Sequence, residues 1–416
     1  MIQGDEWWRL LPRGATADAV QVLAARGVRA FADGFVAVLL PTYLLQLGFG
    51  ALAIGSIITS TLVGSSILTL IVGLVAHRHS RRRMLLAACL LMAATGIGFA
   101  ITREYWPILL IAFVGTMNPT SGDVSLFLPL EHTVLTQTVE PPRRTALFAR
   151  YSLVGTLMGA VGVLAAVVPS LAEERLGIDQ LAATQAMFVL YGVLGLVALL
   201  FYRPLSAAIE APPASLVAQQ ALGPSKGIVY GLAALFSLDS FGSGFFVQSL
   251  LALWLYEAFH LSVSAASSIL FWSSICSAVS FLVAVPISKR IGLVNTMVFT
   301  HLPSNVFLML VPFAPNLGIA IALLLARSAL SQMDVPTRTS YVMAVVTPEE
   351  RPAAASLTAV SKSLATSLSP ILAGYLFTLS TFGWPLVLGG ALKSVYDILL
   401  LIKFRHVRPL EERSLP

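Results

Sequence analysis

Residues 51–76 read ALAIGSIITSTLVGSSILTLIVGLVA and run directly into HRHSRRR at 77–83. The first stretch carries no ionisable side chain and exceeds the roughly 20 apolar residues that a helix needs to cross a bilayer core. The second is a basic segment that belongs in the water beside the membrane. The whole chain alternates in this way. Of its 416 residues, 57% are hydrophobic and 11% charged, whereas soluble domains carry about 25% charged residues. Such a chain cannot cover a water-facing surface of its own size, and it reads as an integral membrane protein. Its 30 Gly and 23 Pro are spread through the apolar runs, which excludes a disordered, collagen-like or coiled-coil chain.

Apolar runs between charged or Gly/Pro-marked breaks predict an all-α polytopic protein of about twelve spans. They fall at 22–47, 51–76, 83–102, 106–130, 146–169, 184–202, 227–256, 263–288, 294–313, 317–341, 353–378 and 384–403. The longest break holds Pro204, Pro212, Pro213 and Pro224. It divides the chain into a six-helix half at 1–203, a linker at 204–226 and a second six-helix half at 227–416. Loops on one side carry Arg9, Arg13, Arg78, Arg81, Arg82, Arg83, Arg143, Arg144, Arg203, Lys226, Lys289, Arg290, Arg351 and Lys403, while the other side has Arg103 and Arg175. This positive-inside asymmetry puts both termini and the linker in the cytoplasm. The net charge of +6 is therefore a topology signal, and no basic patch remains for nucleic acid. The N-terminus lacks an isolated apolar h-region and a small-residue cleavage site, so no removable signal peptide is expected.

The two halves resemble each other. Asp33-Gly34-Phe35 aligns with Asp239-Ser240-Phe241, 54–58 with 266–270, and Asp123-Val124 with Asp334-Val335. The loops 77–80 and 139–144 align with 289–292 and 346–351 at a similar offset. Ordered matches with little drift argue for duplication into two parallel halves. Over its whole length the chain resembles the major facilitator superfamily, the MFS fold. That family's signature loop, G-x-x-x-D-R-x-G-R-R, is matched by Gly73, Arg78, Arg81 and Arg82; His77 and Ser80 stand at the acidic and second glycine positions. Glu131 or Glu140 is the replacement anionic partner. Gly155-x-x-x-Gly159-x-x-Gly162 partly resembles the glycine-rich motif of the antiporter subgroups, and 369–374 resembles it more closely.

Ionisable residues lie within the spans: Arg26, Arg29, Asp33, Asp123, Arg150, Asp239, Arg327, Asp334, Arg338, Lys362, Lys393 and Asp397. Each costs about 2.5–3.5 kcal/mol at a helix centre on insertion scales, so they must face one another or an aqueous cavity. Arg26, Arg29 and Asp33 share one helical face. So do Arg327, Ser331, Asp334, Arg338 and Tyr341 on the tenth span, Thr116, Thr120, Asp123 and Phe127 on the fourth, and Asp239, Ser243 and Phe246 on the seventh. The resemblance implies that these four spans surround the substrate cavity. Asp33, Asp239 and Asp334 then read as proton or substrate carboxylates, with Arg29 and Arg327 as charge partners and Lys362 as an anion contact. Asp123 reads either as a cavity carboxylate or as a tie for a helix distorted by Pro119. Arg338 reads as an anion contact or a gate residue. Arg29–Asp33 also fits a neutralised pair, Lys393–Asp397 reads as one, and Arg150 reads as snorkelling to water.

The chain has no phosphate-binding loop, no catalytic set and no metal-ligand spacing among its six histidines, and Cys89 and Cys276 stand alone in apolar runs. A non-enzyme without cofactor or metal is expected. The leading expectation is a proton-coupled secondary active transporter of a small organic solute, working by alternating access with export favoured. The alternatives are proton-coupled uptake of an organic anion, and a non-transporting membrane sensor or assembly factor. Its partners are then a small-molecule substrate, protons and the lipid bilayer, and a monomer is expected. Asn118-Pro119-Thr120 is a proline-blocked glycosylation tripeptide, which fits a bacterial inner membrane.

Overall fold

The computed structural model describes residues 16–75, 79–120, 125–139, 144–210, 223–347 and 350–404. Every regular element among them is helical. The first half contains α1 (Ala17–Gln46), α2 (Ala51–Val75), α3 (Arg81–Ile101), α4 (Tyr105–Val114), α5 (Phe127–Thr138), α6 (Arg144–Ala165), α7 (Val168–Leu176) and α8 (Gln180–Tyr202). The second contains α9 (Lys226–Gly244), α10 (Gln248–Phe259), α11 (Val263–Ile291), α12 (Leu293–Leu310), α13 (Leu317–Ser331), α14 (Asp334–Val345), α15 (Arg351–Leu379) and α16 (Trp384–Phe404). Among the described residues, ten helical stretches are long and apolar enough to cross a membrane. Large apolar side chains such as Leu90, Leu110, Leu200, Leu282, Phe299 and Ile402 are exposed, as a surface facing lipid requires.

Three expected spans are interrupted. The fourth ends as helix at Val114 and resumes at Phe127, the seventh breaks between Gly244 and Gln248, and the tenth between Ser331 and Asp334. In the tenth the reason is local. Pro336 has no N–H to bond one turn back and its ring crowds the carbonyl there, so a helix that starts just before it avoids both costs, and α14 starts two residues before it. Pro119 lies in the fourth break, and Gly242 and Gly244 end α9 with poor helix formers. Non-helical backbone at membrane depth is sustained only where protein or a cavity surrounds it.

The described residues fall into two compact units, bounded as Met1–Gly48 with Gly64–Ala214, and Phe49–Val63 with Ser215–Pro416. In the first unit α1 packs along α6 and α8, and α3 along α8. The α1–α6 crossing is backbone against backbone: a Cβ on Gly34 would collide with the Gly159 carbonyl, and one on Gly162 with the Phe31 carbonyl. In the second unit α9 packs on α15 and α16, and α12 on α13, α14 and α16. The start of α2 belongs to this unit, where Gly55 meets Gly374 of α15 with no room for a side chain.

Candidate functional site

Each unit buries a charged network, and the two are built differently. In the first, Arg29 of α1 is 2% exposed and Glu131 of α5 is wholly buried. Arg29 donates through Nη2 to Glu131, and through Nε to the Tyr202 hydroxyl at 3.2 Å. Glu131 also accepts from Tyr151 at 2.5 Å and from Tyr202. The Arg29 guanidinium lies 3.9 Å from the Phe127 ring centroid. One carboxylate thus ties α1, α5, α6 and α8 together. Arg26 lies 5.2 Å over the Tyr151 ring and fills the volume left by the absent side chain of Gly155. Asp33 is half-buried, within electrostatic reach of Tyr191, whose hydroxyl is 3.4 Å from that of Thr116.

In the second unit Asp239 of α9 lies between two cations. It accepts from Lys393 Nζ of α16 at 2.7 Å and from Arg338 Nη2 of α14 at 3.0 Å. Arg338 also pairs with Asp334 one turn back, and its guanidinium lies 4.9 Å from the Phe236 ring and 5.4 Å from the Tyr396 ring. Lys393 donates in addition to Ser243 at 2.6 Å. His301 of α12 spans two carboxylates, with Nδ1 2.9 Å from Asp397 Oδ1 and Nε2 3.7 Å from Asp239 Oδ1. Asn305, one turn along α12, donates to Asp397 at 2.8 Å.

These contacts revise several expectations. Lys393 and Asp397 do not neutralise each other: Lys393 goes to Asp239 and Asp397 to His301 and Asn305. The partner of Asp334 is Arg338, whereas Arg327 lies 4.8 Å over the ring of Phe246. The aligned stripes on the seventh and tenth spans are each split by a helix break, and Thr116 and Thr120 of the fourth lie outside any helix. Lys362 of α15 is half-buried within reach of the charges on Arg338, Asp239, Asp334 and Lys393. Asp123, Arg78 and Glu140 lie outside the described residues. Sequence reading passed over Tyr151, Tyr202, His301 and Asn305. The signal for the last two was present, since a histidine and an asparagine four apart inside an apolar span mark buried polar chemistry.

The signature loop is anchored by a residue that the motif did not name. Ser80 caps α3 by accepting from the Arg83 N–H. Glu210 accepts from Ser80 Oγ at 2.6 Å and from the backbone N–H groups of Arg81 and Arg82 at 2.8 and 3.1 Å. Arg81 donates to the Ile209 carbonyl at 2.5 Å, and Gly73 is exposed near the end of α2. Glu131, offered as the loop's anionic partner, is instead bonded to Arg29. Partial burial pushes the Glu210 carboxyl up. The Ser80 hydroxyl, the Arg82 and Arg81 N–H groups and the Arg81 charge outweigh that and hold it below the ordinary range.

Comparison with known proteins places this architecture. The sequence profile of the Major Facilitator Superfamily matches residues 22–238 and 229–416. An uncharacterized membrane protein of Saccharomyces cerevisiae, YJR124C, is 23% identical over 426 aligned positions, covering 94% of this chain and 95% of the yeast protein. The nucleoside transporter NupG superposes with a TM-score of 0.69 at 15% identity, over 94% of this chain and 99% of that one. The xylose transporter XylE from E. coli, in its inward open conformation, gives 0.72 at 14% identity, over 95% and 98%. The matched profile spans nearly the whole chain, with a helical fold shared with solved transporters, and the chain belongs to the Major Facilitator Superfamily.

Proposed function

We propose that the chain is a proton-coupled secondary active transporter of a small organic solute, operating by alternating access as a monomer, with export favoured. The observation that carries this reading is Asp239, a buried carboxylate on α9 that holds cations from α14 and α16. Three helices are joined through one ionisable group. A proton on Asp239 removes the charge that both cations bind, so protonation and helix packing are linked. His301 lies 3.7 Å from this carboxylate and contacts Asp397 beyond it, which extends the chain of proton acceptors. An imposed gradient supplies about 2.3 kcal/mol per charge per 100 mV. NupG transports nucleosides and XylE xylose, so uridine and xylose belong in the substrate panel beside small organic acids. The proposed location is a bacterial inner membrane with cytoplasmic termini, on the asymmetry of Lys and Arg in the loops.

The test uses the full chain in proteoliposomes enclosing a pH-sensitive dye. A solute from the panel should move against its gradient when a pH gradient is imposed, with matching proton movement. Asp239→Asn should abolish both, and Asp239→Glu should restore part. Solute flux that ignores the pH gradient, or full coupling in the correctly inserted Asp239→Asn protein, would refute the assignment. Uptake of an organic anion is the second reading, and the surroundings of Arg327 favour it.

A further inference from the structure

Within the spans of the second unit, Arg327, Arg338, Lys362 and Lys393 stand against Asp239, Asp334 and Asp397. Four cations meet these three carboxylates; Glu257, near the end of α10, is a further acid, but among the described residues no ion pair joins it to any of the four, and His301 can only add positive charge. The contacts show where the excess lies. Arg338 and Lys393 are bound to Asp239 and Asp334, and Asp397 is occupied by His301 and Asn305. Among the described residues, no carboxylate pairs with Arg327 or Lys362, and no acceptor reaches the enclosed Nε of Arg327.

The surroundings of Arg327 are those of a ligand contact. It projects from α13 shortly before the break at 332–333, and its guanidinium lies 4.8 Å from the centroid of Phe246, which sits in the break between α9 and α10. Lys393 Nζ is 5.9 Å from the same ring. An aromatic ring covers a guanidinium face and leaves its planar N–H edge open. That edge matches the two oxygens of a carboxylate or phosphate. A water molecule could satisfy the enclosed Nε, but it would leave the surplus charge in place.

We propose that the N–H edge of Arg327, held over Phe246, is the subsite for the oxyanion group of a small organic solute, with Lys362 adding positive potential nearby. The solute carries an apolar or aromatic body beside that group, because Phe246 lines the contact. This deepens the transport reading by naming the substrate class, and binding tests it without flux.

The purified full chain is titrated with benzoate, phenylphosphonate and the uncharged benzamide at constant ionic strength, reading the thermal midpoint. Benzoate, phenylphosphonate or both should stabilise the protein saturably, and benzamide should not. Preference between the anions separates a carboxylate from a phosphate-type solute, and either supports the subsite. Arg327→Gln should weaken anion binding by at least about tenfold, or about 1.4 kcal/mol. Arg327→Lys, which keeps the charge without the fork, should fall between, and it serves if the glutamine variant does not fold. Lys362→Gln should weaken binding by a smaller factor. Failure of both anions to bind the parent, equal binding of benzamide, or parent-like binding in the Arg327 variants overturns the proposal. Anion binding that depends on Arg327 without proton movement in proteoliposomes removes the transport reading and leaves the subsite standing.

Discussion

Replacing Glu131 by alanine tests whether the first unit is held by its buried ion pair. Glu131 is wholly buried and Arg29 is 2% exposed, so removing the carboxylate takes the anion bonded to Nη2 from a guanidinium out of reach of water. Breaking one partner of such a pair costs about 3–5 kcal/mol. Arg29→Met alone strands the carboxylate and should cost a similar amount, softened because Tyr151 and Tyr202 still donate to it. The double variant Arg29→Met/Glu131→Leu removes both charges and keeps the volume, which is often close to neutral for the pair itself. What remains is the loss of acceptor for two tyrosine hydroxyls, about 1–3 kcal/mol for each unsatisfied group. The double variant should therefore fall well short of the sum of the single losses. Thermal unfolding of the four proteins in one detergent, followed by monodispersity, gives the double-mutant cycle. A double variant whose loss equals or exceeds the sum of the single losses refutes the pairing argument.

The backbone crossing of α1 and α6 predicts a contrast between glycines. Gly34→Ala drives a methyl into the Gly159 carbonyl and should destabilise by about 1–3 kcal/mol, as overpacking does; Gly227→Ala, with open space around it, should be neutral or stabilising by up to about 1 kcal/mol. Thermal midpoints of the two variants check this. Glu210 gives a pH-dependent prediction: its folded carboxyl lies below the ordinary 4.5, so its contribution is full above that value and is lost as pH falls through the folded one. Glu210→Gln should lower stability at pH 7 by a few tenths to about 1 kcal/mol, the usual worth of an anion at an exposed helix start. The gap from the parent should close below pH 4.5, and a gap that widens on acidification contradicts the sign.

The sequence made the helical class legible because charge-free runs and basic loops obey bilayer physics locally. The pairing of buried charges was not legible. Arg29 and Glu131 are 102 residues apart, and Lys393 and Asp239 are 154 apart. Neither separation has a local signature. The expected Lys393–Asp397 pair illustrates the physics. A neighbouring i, i+4 pair is worth about 0.2–0.5 kcal/mol, far less than the cost of leaving Asp239 or His301 unsatisfied in the interior. The interhelical partners therefore prevail. The breaks at 245–247 and 332–333 were foreshadowed by Gly242, Gly244 and Pro336, but a hydropathy reading averages over about 20 residues and joined the apolar stretches on either side of each break.

The two networks differ in sign as well as in partners. In the first unit the base is on α1 and the acid on α5; in the second the acid is on α9 and the base on α14, although the repeat aligns Asp33 with Asp239 and Asp123 with Asp334. The aligned positions keep an aspartate on the first helix of each unit while the pairing across the helices differs. The consequences follow from what each carboxylate holds. Glu131 accepts from one guanidinium and two tyrosines, so a proton there would disrupt all three contacts at once, and the group suits a fixed joint. Asp239 shares Lys393 with Ser243 and Arg338 with Asp334. Each of its cations already has another oxygen to hold. Neutralising Asp239 leaves Arg338 paired within α14 to Asp334 and Lys393 on the neutral Ser243 hydroxyl of α9, so the charge of Lys393 is the one left unbalanced, and the ties of α9 to α14 and α16 are what a proton there would weaken.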